Sequence, residues 1–547
     1  MPKEETKQKL LYQRNYTKFG LDFNPPVSIV SGLFILIFAG YALLNLEHAN
    51  QLFDQIYSRI INNWDWLFLL GSNFFIGVCL YLAFSKLGNV RIGGMYAKAE
   101  FSTFAWYSML ISAGMGIGLM FWAVGEPLTH SQITPFIYES ESAVTSAMAA
   151  TFFHWGFHPW GIYALLGLSL AFFAYNKNLP LSLRSVFYPL FKDRIFGKTG
   201  DIIDILAVLA CMFGLATSLG LGVQQMNSGL NYLFQLPENV TIQVLLIFII
   251  TLMAIFSILA GIHGGIRFLS VLNIRLAGLF MLLVFLLGPS FYILRVFMNG
   301  LGLYLSDFLQ ASFSLSFKGD SWQGDWSIFY LSWWISWSPF VGMFIARMSR
   351  GRTVREFILA VLIVPSFLSF LWLSVFGGTA ISINENTGGA LFETVQDNLP
   401  VALFELIHQL NVPVLANLSI TLLSILGTLL VMSYFITSSD SGSLVVEKIT
   451  ASGKEDTPNK QRVFWAAAEG LLAAVLLLIG GEQALDVLQT AVISTGLPFT
   501  FVLIAASIAV IIGVREASDR REDYIRNKLF EDVKEHVVQG DEESSET

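Results

Sequence analysis

Roughly twelve separate stretches of about twenty mainly apolar residues constrain this chain more than any other feature. A bilayer's hydrocarbon core is about 30 Å thick and a helix rises about 1.5 Å per residue, so each stretch matches one crossing. They fall at 27–46, 67–85, 103–124, 147–174, 203–221, 242–261, 270–297, 326–346, 357–380, 418–438, 463–479 and 488–513. Only 13% of the 547 residues are charged and 54% are hydrophobic, whereas soluble globular chains carry about 25% charged residues. That balance excludes a soluble enzyme, a nucleic-acid binder and a disordered scaffold. Cys79 and Cys211 both lie inside apolar runs, so no disulfide framework is expected. The class is an all-α polytopic membrane protein.

Basic residues set the expected orientation. They crowd into the N-terminal tail (1–26), the second, fourth, eighth and tenth loops, and the final segment, whereas Arg59 and Lys318 are the main ones in the alternate loops. The net charge of −8 says little, because the charges sit in loops and tails. Both termini are thus expected in the cytoplasm of a multi-pass cell-membrane protein. The first 26 residues are polar, without the apolar core of a cleavable signal. Residues 301–317 predict an amphipathic interfacial helix within a loop region at 299–325. The tail at 514–547 predicts a helix with a disordered acidic end.

Four local patterns carry possible chemistry. Gly114, Gly116 and Gly118 alternate in the middle of the third run. Each weakens a helix by about 1 kcal/mol relative to Ala, so they mark either close helix packing or a broken span whose free N–H groups receive a carboxylate. The fourth run contains Trp155, Trp160 and Tyr163 around Pro159, which is expected to distort the helix and bring Trp155 nearer. The eighth contains Trp333, Trp334 and Trp337 before Pro339. These are either interfacial or core tryptophans, or a cage for a quaternary ammonium, which offers no hydrogen bond and is attracted to ring faces. His154 and His158 stand four apart, with no acidic or cysteine partner nearby in the sequence, so packing outweighs metal binding. The segment Thr437-Ser438-Ser439-Asp440-Ser441-Gly442-Ser443 is either a capped helix end or a source of oxygen ligands for a small cation. The arginines from Arg347 to Arg355 serve as interfacial anchors or as part of a cytoplasmic gate.

The segments GMGIGLMFWAVGEPLT, HWGFHPWGIYAL, FGLATSLGLG, WWISWSPFVGMFIARMSRGRTVREF and SSDSG resemble the betaine/choline/carnitine transporter family, in its glycine betaine branch. The resemblance runs from about residue 27 to 513. It implies a leucine-transporter-like fold of two inverted repeats, here 102–298 and 326–513, preceded by two additional helices at 27–101, and commonly a homotrimer. It implies that Trp155, Trp160, Tyr163 and Trp334 box a trimethylammonium group, with Trp337 lining the path beside it. Ala113, Gly114, Met115 and Gly116 match the stretch whose backbone receives the carboxylate. Gly118 stands where proton-coupled choline carriers have Asp. For one sodium ion, Thr437 and Ser438 match side-chain ligands, and Ser112, Met115 and Tyr434 match backbone-carbonyl positions. The second sodium site of betaine carriers maps onto Cys211, Leu215 and Phe340, where the first two lack the usual hydroxyls.

The resemblance therefore implies a secondary transporter with Na⁺ as coupling ion, no organic cofactor and no enzymatic activity. Its expected partners are membrane lipid and a small zwitterionic methylammonium compound, an osmoprotectant such as glycine betaine. Sodium-independent exchange or proton-driven uptake of carnitine, choline or dimethylsulfoniopropionate is the alternative within this class. A sensor or channel that does not concentrate its ligand is the alternative outside it.

Overall fold

The computed structural model describes residues 11–114, 116–138, 140, 142–259, 263–317, 321–410 and 416–545, and among these every regular element is a helix. The main ones are α1 (Pro25–Leu44), α2 (Leu46–Phe84), α3 (Thr103–Gly114), α4 (Ile117–Gln132), α5 (Ala143–Trp155), α6 (Phe157–Lys177), α7 (Lys198–Phe234) and α8 (Val240–Leu259). They are followed by α9 (His263–Leu287), α10 (Ser290–Ser306), α11 (Phe329–Met348), α12 (Val354–Asn386), α13 (Ala416–Thr450), α14 (Asn459–Gly480) and α15 (Ala484–Ser545). Each of the twelve expected runs is mainly helical where it is described, with breaks inside the third, fourth and seventh at Gly116, Gly156 and Gly288-Pro289. Among the described residues, eight helical stretches are each long and apolar enough to cross a bilayer, and two bent pairs, each taken as one span, raise the number to ten. One of the eight, Asn459–Lys528, contains the last two runs, and the sixth run forms a shorter apolar helix.

Local chemistry sets several boundaries. At α1 the Asn24 side chain accepts from the Val27 amide, and Pro25 opens the first turn, where its missing N–H costs nothing. At α12, Thr353 and Glu356 cap each other's backbone. The seventh run ends earlier than expected, at Leu287. Gly288 and Pro289 break it, and α10 leaves at 109°. A proline cannot donate the N–H that would continue the ladder. The interfacial helix expected at 301–317 is therefore α10, starting at Ser290, plus a short turn at Phe308–Ser312. The end of the chain also differs from expectation, because α15 stays helical to Ser545.

The helices α6 and α7 pack along α11 and α13, and the most buried side chains lie where these meet α4 and α12. At the periphery, α1 exposes Ile29, Leu33, Leu36 and Ile37, and α8 exposes Leu245, Phe248 and Phe256. Such apolar outer faces suit a lipid solvent.

The basic segments gather at one end of the bundle. Arg14 of the tail meets Asp201, and Asn24 donates to Ser452. Arg91 donates to the Gly351 carbonyl, Lys86 pairs with Glu522, and Lys177 pairs with Glu516. The alternate loops meet at the opposite end, where Asn398 bonds Glu238 and Tyr57 bonds Asp325. Arg352 donates to the Phe101 carbonyl and lies over the Trp106 ring, and Arg355 donates to the Ala83 carbonyl. These arginines thus tie the eighth loop to the start of α3 and the end of α2.

A candidate substrate cage and cation chamber

The third run is broken rather than continuous. Helices α3 and α4 meet at 63°, and Gly116 adopts extended backbone in front of α4. Met115 lies outside the described residues, as does the environment of Gly114. The other two glycines have different tasks. Gly116 opens the break, whereas at Gly118 an added Cβ would stand 2.9 Å from the Trp333 ring and 3.0 Å from Trp155. Gly118 therefore permits two indoles to lie directly on the backbone. The fourth run is also broken, at Gly156 and not at Pro159. A Cβ at Gly156 would collide with the Tyr304 hydroxyl and the Phe370 ring. Pro159 sits in the first turn of α6, where no intrahelical donor is required. Pro339 lies inside α11, and the Ile335 carbonyl one turn earlier accepts the Ser338 hydroxyl at 2.7 Å.

These breaks bring together residues from three spans. Trp155, Trp160, Tyr163, Trp334 and Trp337 line one cavity with Ala113, Gly116 and Gly118. Trp155 meets Trp334 edge-on at 5.0 Å between centroids, Trp160 meets Tyr163 at 5.4 Å, and Tyr163 meets Trp334 at 6.3 Å. Edge-on rings turn neighbouring faces towards a common centre, and a ring face carries the negative end of its quadrupole. The first turn of α4 adds backbone N–H groups that lack intrahelical acceptors, at the positive end of the helix dipole.

A second chamber adjoins the first on the side of the basic loops. It is lined by Ser112, Ala113, Asn273, Trp337, Phe340, Tyr434, Thr437, Ser438 and Ser441, among others. Ala113 and Trp337 line both cavities, so these residues form the wall between them. Phe344, at the wall of the outer chamber, is 40% exposed. On the opposite side Trp122, Trp326, Phe329 and Tyr330 pack ring against ring.

The hydroxyl segment does not end a helix, because α13 continues through it to Thr450. The Thr437 hydroxyl faces the carbonyls of Ser433 and Tyr434 at 2.9 and 3.2 Å, and Asp440 pairs with Arg462. The lining carries the hydroxyls of Ser112, Tyr434, Thr437, Ser438 and Ser441 beside the Asn273 amide and the Trp337 indole, and the hydroxyl oxygens are hard donors of the kind that suit an alkali cation. Cys211 and Leu215 are not among the residues lining this chamber with Phe340. Leu215 packs where a Cβ on Gly442 would lie, and Cys211 is fully buried within electrostatic reach of Glu469. Neither side chain has an oxygen to offer.

The acidic partner of His154 was invisible to local spacing. Glu126, 28 residues earlier, holds the His154 ring at 2.7 Å. His158 instead meets Asn73 and Ser312 at 3.1 and 3.2 Å. The signal available in the sequence was a carboxylate inside a span, which is expensive in lipid and rarely idle.

A family model described as BCCT, betaine/carnitine/choline family transporter, matches residues 26–519. The chain is 46% identical over 509 residues to glycine betaine transporter 1 of Vibrio parahaemolyticus, covering 92% of this chain and 96% of that one. It is 44% identical to the glycine betaine/proline/choline transporter VP1723 of the same organism, covering 91% of each chain. A glycine betaine transporter of Acinetobacter baylyi is 40% identical, with 92% of this chain and 75% of that one covered.

Proposed function

The chain belongs to the betaine/carnitine/choline transporter family, and from that premise we propose that it imports glycine betaine, or a close quaternary-ammonium analogue, by sodium-coupled symport. The observation that carries this reading is the cavity walled by Trp155, Trp160, Tyr163 and Trp334 against the broken third span. A trimethylammonium group cannot donate a hydrogen bond, so ring faces are its best partners. The substrate carboxylate lies towards the N–H groups at the start of α4.

Sodium lies in the adjoining chamber, held by the hydroxyls of Thr437 and Ser438 and the carbonyls of Ser112 and Tyr434; Met115, the remaining expected carbonyl, lies outside the described residues. An ion there ties α13 to α3 and so favours the arrangement in which the break, and with it the carboxylate site, is complete. Linkage makes the effect reciprocal: sodium raises substrate affinity and substrate raises sodium affinity by the same factor. One sodium site follows from this donor set, because Cys211 and Leu215 supply none for a second. Alternating access between two inverted repeats carries the substrate across, with both termini in the cytoplasm and three copies per assembly.

The deciding experiment is uptake of labelled glycine betaine into proteoliposomes with an inward sodium gradient, and with potassium in place of sodium. Concentrative uptake only with sodium is expected. Equal accumulation without sodium overturns the coupling, and absence of betaine uptake overturns the substrate. Proline and choline, named for the VP1723 relative, are the competitors to test next.

A further inference from the structure

One layer behind the cage, where Trp122, Trp326 and Tyr330 pack ring against ring, a carboxylate is fully buried among donors. Glu126 projects from α4 and is 0% exposed. Its Oε2 accepts the Trp155 indole N–H at 2.8 Å and the Tyr330 hydroxyl at 2.5 Å, and its Oε1 lies 2.7 Å from His154 Nδ1. His154 Nε2 meets the Ser327 hydroxyl at 2.9 Å. The ligand atoms of Glu126, His130 and His154 lie within 4.8 Å of one another, a spacing that a metal ion would accept. The Trp155 N–H and Tyr330 O–H on Oε2, with the His154 ring on Oε1, satisfy the carboxylate without a cation.

The same contacts reach the cage walls. Trp155 is one wall, and its indole direction is set by Glu126. Tyr330 stacks on His154 at 4.8 Å and on Trp334, a second wall, at 5.8 Å. The Trp334 indole N–H donates to the His154 carbonyl at 2.9 Å. A single carboxylate thereby fixes rings from α5 and α11 relative to each other. Packing alone would be met by an apolar side chain, without the desolvation cost of a buried charge. Charge-assisted bonds add direction that packing lacks.

We propose that Glu126 is a positioning residue for substrate binding, holding Trp155 directly and Trp334 through Tyr330 and His154 at the angles that a quaternary ammonium requires. This rests on the aromatic-cage reading above. Glu126 does not touch substrate, and its effect belongs to affinity rather than to turnover or sodium binding.

The test is uptake kinetics in proteoliposomes for wild type, Glu126→Gln, Tyr330→Phe and the double variant, each checked for monodispersity. In Glu126→Gln one accepting oxygen becomes an amide that cannot accept. The KM for glycine betaine should rise about tenfold or more while Vmax stays within about twofold, the signature of lost binding without lost turnover. Because the two ligands are linked, sodium dependence is compared at betaine concentrations scaled to each variant's KM, where it should not move. Tyr330→Phe should shift KM in the same direction by less, and the double variant should fall short of the product of the two, because both act through one oxygen. Unchanged KM in both single variants overturns the proposal, as does a fall in Vmax at constant KM. Should Glu126→Gln not purify intact, Tyr330→Phe alone decides in the same way. Failure of the cage reading looks different, because wild type itself would then show no saturable betaine uptake.

Discussion

Trp334 is held from three directions: its ring stacks on Trp333 at 4.8 Å, it meets Trp155 edge-on, and its N–H is spent on the His154 carbonyl. A side chain fixed in this way presents its face without further loss of rotamer freedom, and a desolvated cation–π contact is worth about 2 kcal/mol or more. Trp334→Ala should therefore abolish saturable glycine betaine uptake over the range in which wild type saturates; near-normal KM would remove Trp334 from the cage. The hydroxyl of Thr437 is the corresponding handle on the ion. Its present bonds to Ser433 and Tyr434 carbonyls stay within its own helix, so removing it spares tertiary contacts. Thr437→Ala is expected to raise the sodium concentration for half-maximal uptake several-fold while protein yield stays unchanged, as measured by initial rates against sodium.

At the scale of elements, the breaks in the third and fourth spans determine where the rings can meet. The two glycines flanking the start of α4 provide a direct comparison. Gly116 is extended, at φ −167°, a conformation open to any residue, and a Cβ there would find its nearest neighbour at 3.9 Å. Gly118 has two tryptophan rings within about 3 Å of the same atom. Gly118→Ala should therefore raise the betaine KM strongly by pushing Trp333 and Trp155 off their positions, because overpacking a close contact costs about 1–3 kcal/mol. Gly116→Ala should be far milder. Equal effects from the two would mean that helix breaking, not ring approach, governs both positions.

For the whole molecule, the end bearing the basic loops is more than a charge pattern. Arg184 is fully buried and pairs with Asp201 at 3.0 Å and Asp204 at 2.5 Å, while Arg14 from the N-terminal tail reaches the same Asp201. Removing this cation strands the fully buried Asp204, whereas Asp201 keeps Arg14; breaking a buried pair in this way costs about 3–5 kcal/mol. Arg184→Ala should lower the unfolding midpoint in detergent clearly. The peripheral Lys86–Glu522 pair, whose side chains are more than half exposed, should tolerate Lys86→Ala with almost no shift. Fluorescent-protein fusions at either terminus should mature, as they do only in the cytoplasm, if the basic end faces inward.

The sequence by itself determined the helices, their membrane environment, the segregation of basic loops to one end and the motifs that mark the family. Each of these is encoded within about twenty neighbouring residues, since helical periodicity, capping and hydropathy act locally. It also singled out Trp155, Trp160, Tyr163 and Trp334, because dense tryptophans beside helix breakers are visible in one dimension. That the fourth span breaks at Gly156 rather than at Pro159 emerges only from the packing, since the space denied to a Cβ there is taken by the Phe152 carbonyl one turn back together with Tyr304 and Phe370 from other helices. The tertiary structure also decided that His154 pairs with Glu126 across 28 residues and that its carbonyl holds Trp334 across 180. Such pairings depend on how α4, α5 and α11 pack, and no spacing rule spans separate helices whose relative rotation is fixed only once their side chains interdigitate.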